Sequence, residues 1–260
     1  GAASASYGYD GAGLRMSRTV GGVAAQFTWD EAARRSLQGF EQLHERRSWT
    51  PSLTMPAGKG VVGRRPTMAF LSPLPSDRSG IADYSAILLR ELARHYEIEC
   101  VVTGGPLTDE WIIANFVLRD VGWFERHAGH YDRIVYSFGN SHFHSRMVGL
   151  LQRFPGTVVL HDLFMSDLLE WMANTTEFPP ETFIREVYLS HGLSGLLAMR
   201  ERGVRRIVEQ LPCNGFIYRS AIGVIAHSEQ AREQARNAFG PRAAEEVEVI
   251  PFLRRPAPQM

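Results

Sequence analysis

The sequence predicts a doubly wound α/β domain built on a parallel sheet. Short apolar segments rich in Val and Ile, such as "RIVYS" and "GVIAHS", alternate with longer segments whose apolar residues lie three or four apart. This alternation is typical of β-α-β units, in which helices cover both faces of a buried sheet. The chain has 260 residues, 44% of them hydrophobic, which is enough for one large domain or two small ones.

The composition limits the classes of function and the cellular locations that fit the chain. The 28 basic and 28 acidic residues give a formal net charge of zero, so the overall charge does not favour nucleic acid as a partner. Two distant cysteines, Cys100 and Cys213, do not make a disulfide framework, which favours a cytoplasmic location. No apolar run approaches the roughly 20 residues of a membrane span, and the first residues lack the pattern of a signal peptide.

Five segments are predicted along the chain. Residues 1–26 are rich in Gly, Ala and Ser and are expected to be disordered or loosely attached. Residues 27–48 carry apolar residues at helical spacing and predict one amphipathic helix. The prolines and glycines of residues 49–66 predict a linker. Residues 67–252 form the Rossmann-like domain, and the proline-rich residues 253–260 are expected to begin an interdomain linker.

Six strands and their helices are predicted in order within residues 67–252. The helix from Ile81 to His95 follows the first strand and turns Tyr84 inward. A long helical region over residues 183–211 is expected to be interrupted near Gly192 and Gly195. The six strand segments are "TMAFLS", "IECVV", "RIVYS", "TVVLHD", "GVIAHS" and "VEVIPF".

The first strand leads into "PLPSDRSG", which places Ser79 and Gly80 at the start of a helix. Ligands of open parallel sheets bind beyond the carboxyl ends of the strands. At this edge of the sheet Gly80 would let the backbone approach a ligand. The helix would present the positive end of its dipole to an anion such as phosphate. Gly80 alternatively makes a simple turn. Asp83, one turn into the helix, either faces the cleft or interacts with the helix dipole.

Two later strands each end in a histidine followed by a polar residue. His161 and Asp162 follow "VVL", and His161 could donate a hydrogen bond to a sugar hydroxyl or a phosphate oxygen. Alternatively, this pair caps the next helix. His227 and Ser228 repeat the arrangement one strand later, where Ser228 could equally be the N-cap of "EQAREQAR".

The strand "RIVYS" is followed by Asn140, Ser141 and His142, which we expect to hydrogen-bond an acceptor in the cleft. His144 completes an H-x-H spacing. Because no carboxylate or cysteine cluster accompanies this spacing, we predict no metal site here.

Taken together, "SPLPSDRSGIADYSAILLRELARHYEIECVV", "YSFGNSHFH", "VVLHD" and "GVIAHSEQAR" resemble the N-terminal half of a retaining GT-B glycosyltransferase. The branch is that of the group-one bacterial enzymes, often mannosyltransferases of polysaccharide assembly, and the resemblance runs from about Thr67 to Phe252. It implies that this domain binds the acceptor. It also implies that Gly80 lies near the donor diphosphate and His161 near the transferring sugar, as the catalytic residue.

The resemblance further implies a nucleotide sugar as donor substrate, with GDP-mannose as the candidate, and a saccharide or lipid-linked acceptor. No cofactor is expected. The E-x7-E motif of the family's C-terminal donor domain has no convincing counterpart, because neither matching pair of glutamates lies in a glycine-rich loop. We therefore expect a separate donor domain and an inactive chain when it is alone. The two rejected pairs are Glu91 with Glu99 and Glu201 with Glu209.

Several alternatives stay open at this point. The helix over residues 27–48 resembles the closing helix of a preceding transferase module, or else simply covers the domain. Apolar and basic residues over 183–208 could place a helix at the inner face of a membrane, or could be core on one side and solvated on the other. A non-catalytic sugar- or nucleotide-binding or interaction module is the rival function. A dehydrogenase or flavodoxin-like domain is disfavoured, because no G-x-G-x-x-G follows the first strand.

Overall fold

The computed structural model describes residues 64–252 and, before them, three short strands. These strands are β1 (Ala5–Tyr9), β2 (Met16–Val20) and β3 (Val23–Phe27), and they form an antiparallel sheet in that order. In the register Val20 pairs with Val23, and the sequence between them is Gly-Gly, a strong signal for a two-residue hairpin.

This small sheet differs from the disorder expected of residues 1–26. Glycine-rich composition suggested disorder, yet Tyr, Val and Thr within the segment favour strands and outweighed it. Phe27 ends β3, so it does not belong to the predicted helix, whose remaining residues 28–48 lie outside the described part. The predicted segment 253–260 and most of the predicted linker, residues 49–63, also lie outside it.

Residues 64–252 form an α/β domain. Its strands are β4 (Thr67–Leu71), β5 (Glu97–Val102), β6 (Val117–Asp120), β7 (Arg133–Phe138), β8 (Thr157–Leu160), β9 (Gly223–Ala226) and β10 (Val247–Val249). Its helices are α1 (Gly80–Leu92), α2 (Glu110–Asn115), α3 (Val121–His127), α4 (Ser145–Arg153), α5 (Ser166–Ala173), α6 (Thr182–Arg202), α7 (Val204–Gln210), α8 (Gly215–Ser220), α9 (Glu229–Phe239) and α10 (Pro241–Glu245). Two 3-10 turns, Ala128–His130 and His142–His144, flank β7.

The seven strands make one all-parallel sheet in the order β10-β9-β8-β7-β4-β5-β6. This confirms the predicted Rossmann-like α/β fold. From β4 the chain first winds outward to β5 and β6, and then returns to place β7 on the other side of β4. The winding direction therefore reverses between β4 and β7, which is where a crevice for ligands opens in folds of this kind.

The sheet is buried on both faces by two apolar clusters. Leu71, Tyr136 and Phe138 belong to one cluster, while Phe70 and Cys100 belong to the other. Cys100 and Cys213 are both free and buried, and burial raises the pKa of the Cys100 thiol to about 12. This double burial is the reason that most strands appear in the sequence as continuous apolar runs.

Two features of the domain differ from the sequence expectations. The edge strand β6 was not predicted, because its apolar run is limited to Phe116, Val117 and Leu118; Val117 and Leu118 are exposed in the structure. The long helical region is interrupted at Gly192, with φ 64° and ψ −158°, and ends at Gly203. Gly195, the second expected interruption, is instead a buried residue within α6.

No helix in residues 64–252 has the length and hydrophobicity needed to cross a bilayer.

Candidate functional site

Helix α1 begins at the crevice between β4 and β7. The Ser79 hydroxyl caps it by accepting a hydrogen bond from the Ile81 N–H at 3.2 Å. The Ser79 carbonyl accepts from the N–H groups of Ala82 and Asp83. The Gly80 N–H has no hydrogen-bond partner among the described residues, so it is the donor of the first turn that remains for a ligand.

Gly80 is surrounded by free space. A Cβ atom added there would meet no atom within 4 Å, and the backbone of Gly80 does not adopt positive φ. The glycine is therefore not required by its own turn or by packing, which is the situation expected where a ligand approaches the backbone. Arg78, two residues earlier, is exposed and forms no ion pair with the described residues, so it adds a positive charge beside this helix end.

Two of the predicted histidines lie together against α1. The Tyr84 ring lies 4.7 Å from the His161 ring and 5.3 Å from the His227 ring, measured between centroids. The two histidine rings are 5.1 Å apart, and Phe252 lies 4.9 Å from His227. We call Tyr84, His161, His227 and Phe252 the histidine cluster. Since Tyr84 follows Gly80 by one helical turn, the cluster adjoins the α1 N-terminus.

His161 is held in place by β7. Its backbone N–H donates to the Phe138 carbonyl at 2.9 Å, and its Nε2 atom lies 2.9 Å from the Ser137 hydroxyl. Burial, with a smaller contribution from His227, lowers the pKa of His161 to about 3. The imidazole is therefore neutral at physiological pH, and Nδ1 is the ring nitrogen left for a ligand.

Two further histidines present buried nitrogen atoms without partners. His144 Nδ1 donates to the Ser137 carbonyl at 3.1 Å, and His227 Nδ1 donates to the Ile250 carbonyl at 3.0 Å. Because burial lowers the pKa of both, to about 4 for His144, each ring is neutral and its Nε2 is an acceptor. Both Nε2 atoms are buried without a hydrogen-bond partner, which is costly unless a donor reaches them.

The loops after β7 and β8 are joined by hydrogen bonds. Asp162 accepts from the Asn140 N–H at 2.8 Å, while the Asn140 side chain donates to Asp167 at 2.6 Å and accepts from the Leu168 N–H at 3.0 Å. Asp162 and His161 thus do not cap α5, which has no side-chain cap. The Asn140 amide already has partners, so its contribution is to fix this edge of the sheet.

Gly139 completes this junction. A Cβ atom there would clash with Ile81 Cδ1 and would lie 3.0 Å from Asp162 Oδ2 and 3.1 Å from His144 Nε2. The loop after β7 therefore packs directly on the start of α1 and on the loop after β8. Only a residue without a side chain fits there with the neighbours as they stand.

The remaining predicted residues lie at the edge of this arrangement. The Ser228 hydroxyl caps α9 by accepting a hydrogen bond from the Ala231 N–H, which is the alternative role predicted for Ser228 from the sequence. Asp83 is exposed in the first turn of α1. Ser141 precedes a 3-10 turn without capping it through its side chain. His142 is exposed and contacts Trp171, at 5.5 Å between ring centroids.

Sequence reasoning missed several residues of the site, and each had a weak signal. Arg78 lies in the loop before α1, His144 belongs to the H-x-H spacing, and Gly139 directly follows a strand. Ser137 and Phe252 lie inside predicted strands, where no site residue was expected. Within residues 64–252 and the three N-terminal strands, no group of three or more His, Cys, Asp or Glu residues could hold a metal ion.

A cavity of about 460 Å³ lies among α4, α5 and α6, and no predicted site residue lines it. Three of the four glutamates of the rejected pairs form ion pairs outside the histidine cluster. Glu91, Glu99 and Glu209 each pair with a nearby arginine, the shortest distance being 2.8 Å between Glu99 and Arg119, and Glu201 is exposed.

Comparison with known protein families, with curated proteins and with solved structures finds no match to this chain.

Proposed function

We propose that residues 64–252 are the acceptor-binding half of a retaining GT-B glycosyltransferase of polysaccharide assembly. The observation that carries the proposal is the meeting of three features at the β4–β7 crevice. These are an open glycine at a helix N-terminus, a cluster of neutral histidines, and the tight junction of the loops after β7 and β8.

The α1 N-terminus suits the diphosphate of a nucleotide sugar. As the bond between the anomeric carbon and the diphosphate oxygen breaks, negative charge develops on the departing diphosphate. The Gly80 N–H, the positive end of the α1 dipole and the Arg78 side chain all stabilise that charge. Because Gly80 has no side chain, phosphate oxygens can reach the backbone.

The neutral histidines suit a sugar better than a phosphate. The Nε2 atom of the neutral His227 ring carries a lone pair and no proton, so it attracts a hydroxyl donor and repels phosphate oxygens. The exposed Phe252 ring and the neighbouring Tyr84 ring add apolar surface. A sugar ring, with hydroxyls at its rim and C–H groups on its faces, matches both properties.

In this proposal His161 positions the sugar and the acceptor hydroxyl attacks the anomeric carbon. The donor, for which GDP-mannose is the first candidate, is held mainly by a second domain that closes over the crevice. Closure excludes water and holds the acceptor hydroxyl on the face of the sugar from which the diphosphate departs, so that the configuration is retained and the hydroxyl proton passes to a diphosphate oxygen. The 260-residue chain alone is then expected to bind nucleotide sugars weakly and to transfer no sugar.

The test is a transfer assay of the full-length gene product with a panel of nucleotide sugars, read by mass spectrometry of the acceptor. We expect one nucleotide sugar to give a product one sugar heavier, with the anomeric configuration of the donor retained. A full-length protein that binds neither nucleotide sugars nor saccharides would overturn the proposal.

A non-catalytic sugar-binding module is the second candidate, and one observation favours it. The pKa of His161, lowered to about 3, makes this histidine a poor proton acceptor near neutral pH. Hydrogen bonding to a ligand is thus the chemistry that it supports. Saccharide binding by the full-length protein, without sugar transfer from any nucleotide sugar, would establish this second candidate.

A further inference from the structure

An exposed tryptophan lies on the outer side of α5. Trp171 is 38% exposed, and on α5 it is the single large apolar side chain that is exposed. The apolar residues on the inner side of the helix are buried; they are Leu168, Leu169 and Met172. One exposed apolar residue is ordinary on a protein surface. The groups around Trp171 therefore decide whether it belongs to a binding site.

Other aromatic rings lie beside Trp171. The His142 ring, in the loop after β7, is 5.5 Å from the Trp171 ring and 4.2 Å from the Phe143 ring, measured between centroids. Phe178, which follows α5, lies 6.5 Å from Trp171. Trp171 and His142 are exposed, whereas Phe143 and Phe178 are half-buried. We call Trp171, His142, Phe143 and Phe178 the aromatic platform.

Polar groups without partners border the aromatic platform. Asp167 precedes Trp171 by four residues, so the two lie on the same face of α5. The Oδ2 atom of Asp167 accepts a hydrogen bond from the Asn140 side chain at 2.6 Å, whereas its Oδ1 atom has no partner among the described residues. The His142 ring nitrogens and the Trp171 indole N–H are also unpaired within the described part of the chain. The platform is thus an apolar surface edged by hydrogen-bond donors and acceptors.

Hydrogen bonds join the aromatic platform to the crevice. Asp162, which directly follows His161, accepts from the Asn140 N–H at 2.8 Å, and the Asn140 side chain reaches Asp167. The platform therefore lies at the same edge of the sheet as the histidine cluster, beside the proposed transfer site and outside it. A chain of sugars that enters the crevice at one end has this surface next to it.

We propose that the aromatic platform is a second sugar subsite, which binds a neutral hexose residue of the acceptor next to the residue that reacts. The C–H groups on one face of a hexose are apolar and stack on an indole ring. The hydroxyls at its rim donate to the Asp167 carboxylate and accept from the indole N–H. Because that carboxylate repels an anionic sugar, the acceptor class that fits is a neutral saccharide of at least two residues. This inference rests on the proposed function for the reacting end of the acceptor.

Binding at the platform is measurable without sugar transfer. The test is saturation-transfer-difference NMR of the 260-residue chain with mannose, mannobiose and mannotriose, and with the corresponding glucose and galactose series. In at least one series we expect the longer saccharide to bind at least about tenfold more tightly than its monosaccharide, because a second ring adds a linked contact. The strongest transfer is expected to the C–H protons on one face of one sugar residue.

Matched substitutions separate ring stacking from general apolar contact. Trp171→Leu keeps an apolar side chain without a flat ring, and it should abolish the tenfold advantage of the longer saccharide, whereas Trp171→Phe should keep most of it. Tyr188→Leu is the control and should leave binding unchanged, since Tyr188 is 53% exposed on α6 and makes no ring contact with a described residue.

The polar edge of the platform is tested with Asp167→Asn. The asparagine side chain can still accept from Asn140, but it lacks the charged acceptor, so binding of the longer saccharide should weaken by about threefold or more. Thermal unfolding by circular dichroism checks that every variant folds.

Equal binding of the longer saccharides by the unchanged chain and by Trp171→Leu would overturn the subsite, as would the absence of any advantage of longer saccharides. A dimer that Trp171→Leu converts to monomer, without saccharide binding, would also overturn it by identifying a second copy as the occupant; sedimentation velocity measures that outcome.

Failure of the subsite is distinguishable from failure of the proposed function. Sugar transfer by the full-length protein, with the same acceptor KM for the unchanged protein and for Trp171→Leu, would retain the proposed function and reject the subsite. Saccharide binding that depends on Trp171, without transfer from any nucleotide sugar, would retain the subsite and reject the transferase.

Discussion

Two glycines at neighbouring strand ends differ in what lies beside them. At Gly80, after β4, an added Cβ atom would enter free space. At Gly139, after β7, the same atom would meet Ile81, Asp162 and His144 at 3.1 Å or less. Both glycines stand at the crevice of the sheet, and neither adopts positive φ.

A glycine at a strand end can therefore have two distinct causes. Gly139 is required because other parts of the same chain pack against it. Gly80 is not required by the packing of the chain, and the ligand that we propose at the α1 N-terminus would account for it. Substitutions at the two positions should therefore separate stability from function.

If the proposed sugar transfer is correct, the largest effect is expected from Gly80→Val in the full-length protein. The valine side chain would occupy the space that we assign to the diphosphate, and turnover should fall at least about a hundredfold, as when a preorganised donor is lost. Gly149→Val in α4 is the matched control, because its added Cβ atom also meets no atom within 4 Å.

Transfer rates and thermal unfolding are measured for both valine variants. Normal turnover by folded Gly80→Val would show that this glycine makes only a turn.

The next effect is that of His161→Ala on the same proposed activity. Loss of the hydrogen bond that we propose between this ring and the transferring sugar should lower turnover by about one to three orders of magnitude, with a smaller change in KM for the donor. His130→Ala serves as control, because His130 is exposed at the opposite, amino-terminal end of β7. Steady-state kinetics give the result, and an unchanged rate with a lower Tm would mean that His161 is structural.

The sequence predicts those parts of the fold and of the candidate site that depend on local pattern or on topology, and it does not predict contacts that form only on folding. Six of the seven parallel strands were found because each carries apolar residues over most of its length, while β6, whose surface faces solvent, has only a short apolar run and was missed. The site's position at the strand ends followed from topology alone. The junction at Gly139 did not, because Ile81, Asp162 and His144 come together only in the folded chain.

Residue roles were harder to predict than positions. Ser137 lies in a buried strand and gives no polar pattern, yet its hydroxyl and its carbonyl orient two histidines. The neutral state of those histidines also depends on burial, which the sequence does not show.

The third effect is on stability. Gly139→Ala should destabilise the domain by about 1 to 3 kcal/mol, because the added methyl group overpacks a junction in which Asp162 and His144 are held by hydrogen bonds. Ile81 Cδ1, the end of a flexible side chain, can move aside, and this limits the cost. Urea denaturation of the 260-residue chain gives the free energy of unfolding; no loss of stability would mean that the junction adapts freely.

The buried His144 beside Gly139 predicts that the stability of the domain depends on pH. The pKa of His144 is lowered to about 4 in the folded state, from an ordinary value of about 6.5. As the pH falls below about 6.5, the unfolded chain binds a proton that the folded chain does not, so stability is lost between about pH 6.5 and pH 4. His144 alone should lower the free energy of unfolding by about 1.4 kcal/mol between about pH 7.5 and pH 5.5.

His144→Asn retains an N–H donor for the Ser137 carbonyl but does not titrate, so the difference between the two proteins isolates this histidine. Parallel pH profiles of the two proteins would contradict the assignment of a neutral, buried His144.

The smallest effect is expected for Gly80→Ala, which should change stability in the direction opposite to that of Gly139→Ala. Alanine loses less conformational entropy than glycine on folding and is the better helix former, and its methyl group meets no atom within 4 Å at this position. The domain should therefore become slightly more stable, by about 0.5 kcal/mol, whereas Gly139→Ala makes it less stable. Opposite signs of the two changes in urea denaturation are the expected result. Destabilisation by Gly80→Ala would mean that the space beside Gly80 is filled in solution, and the distinction between the two glycines would be lost.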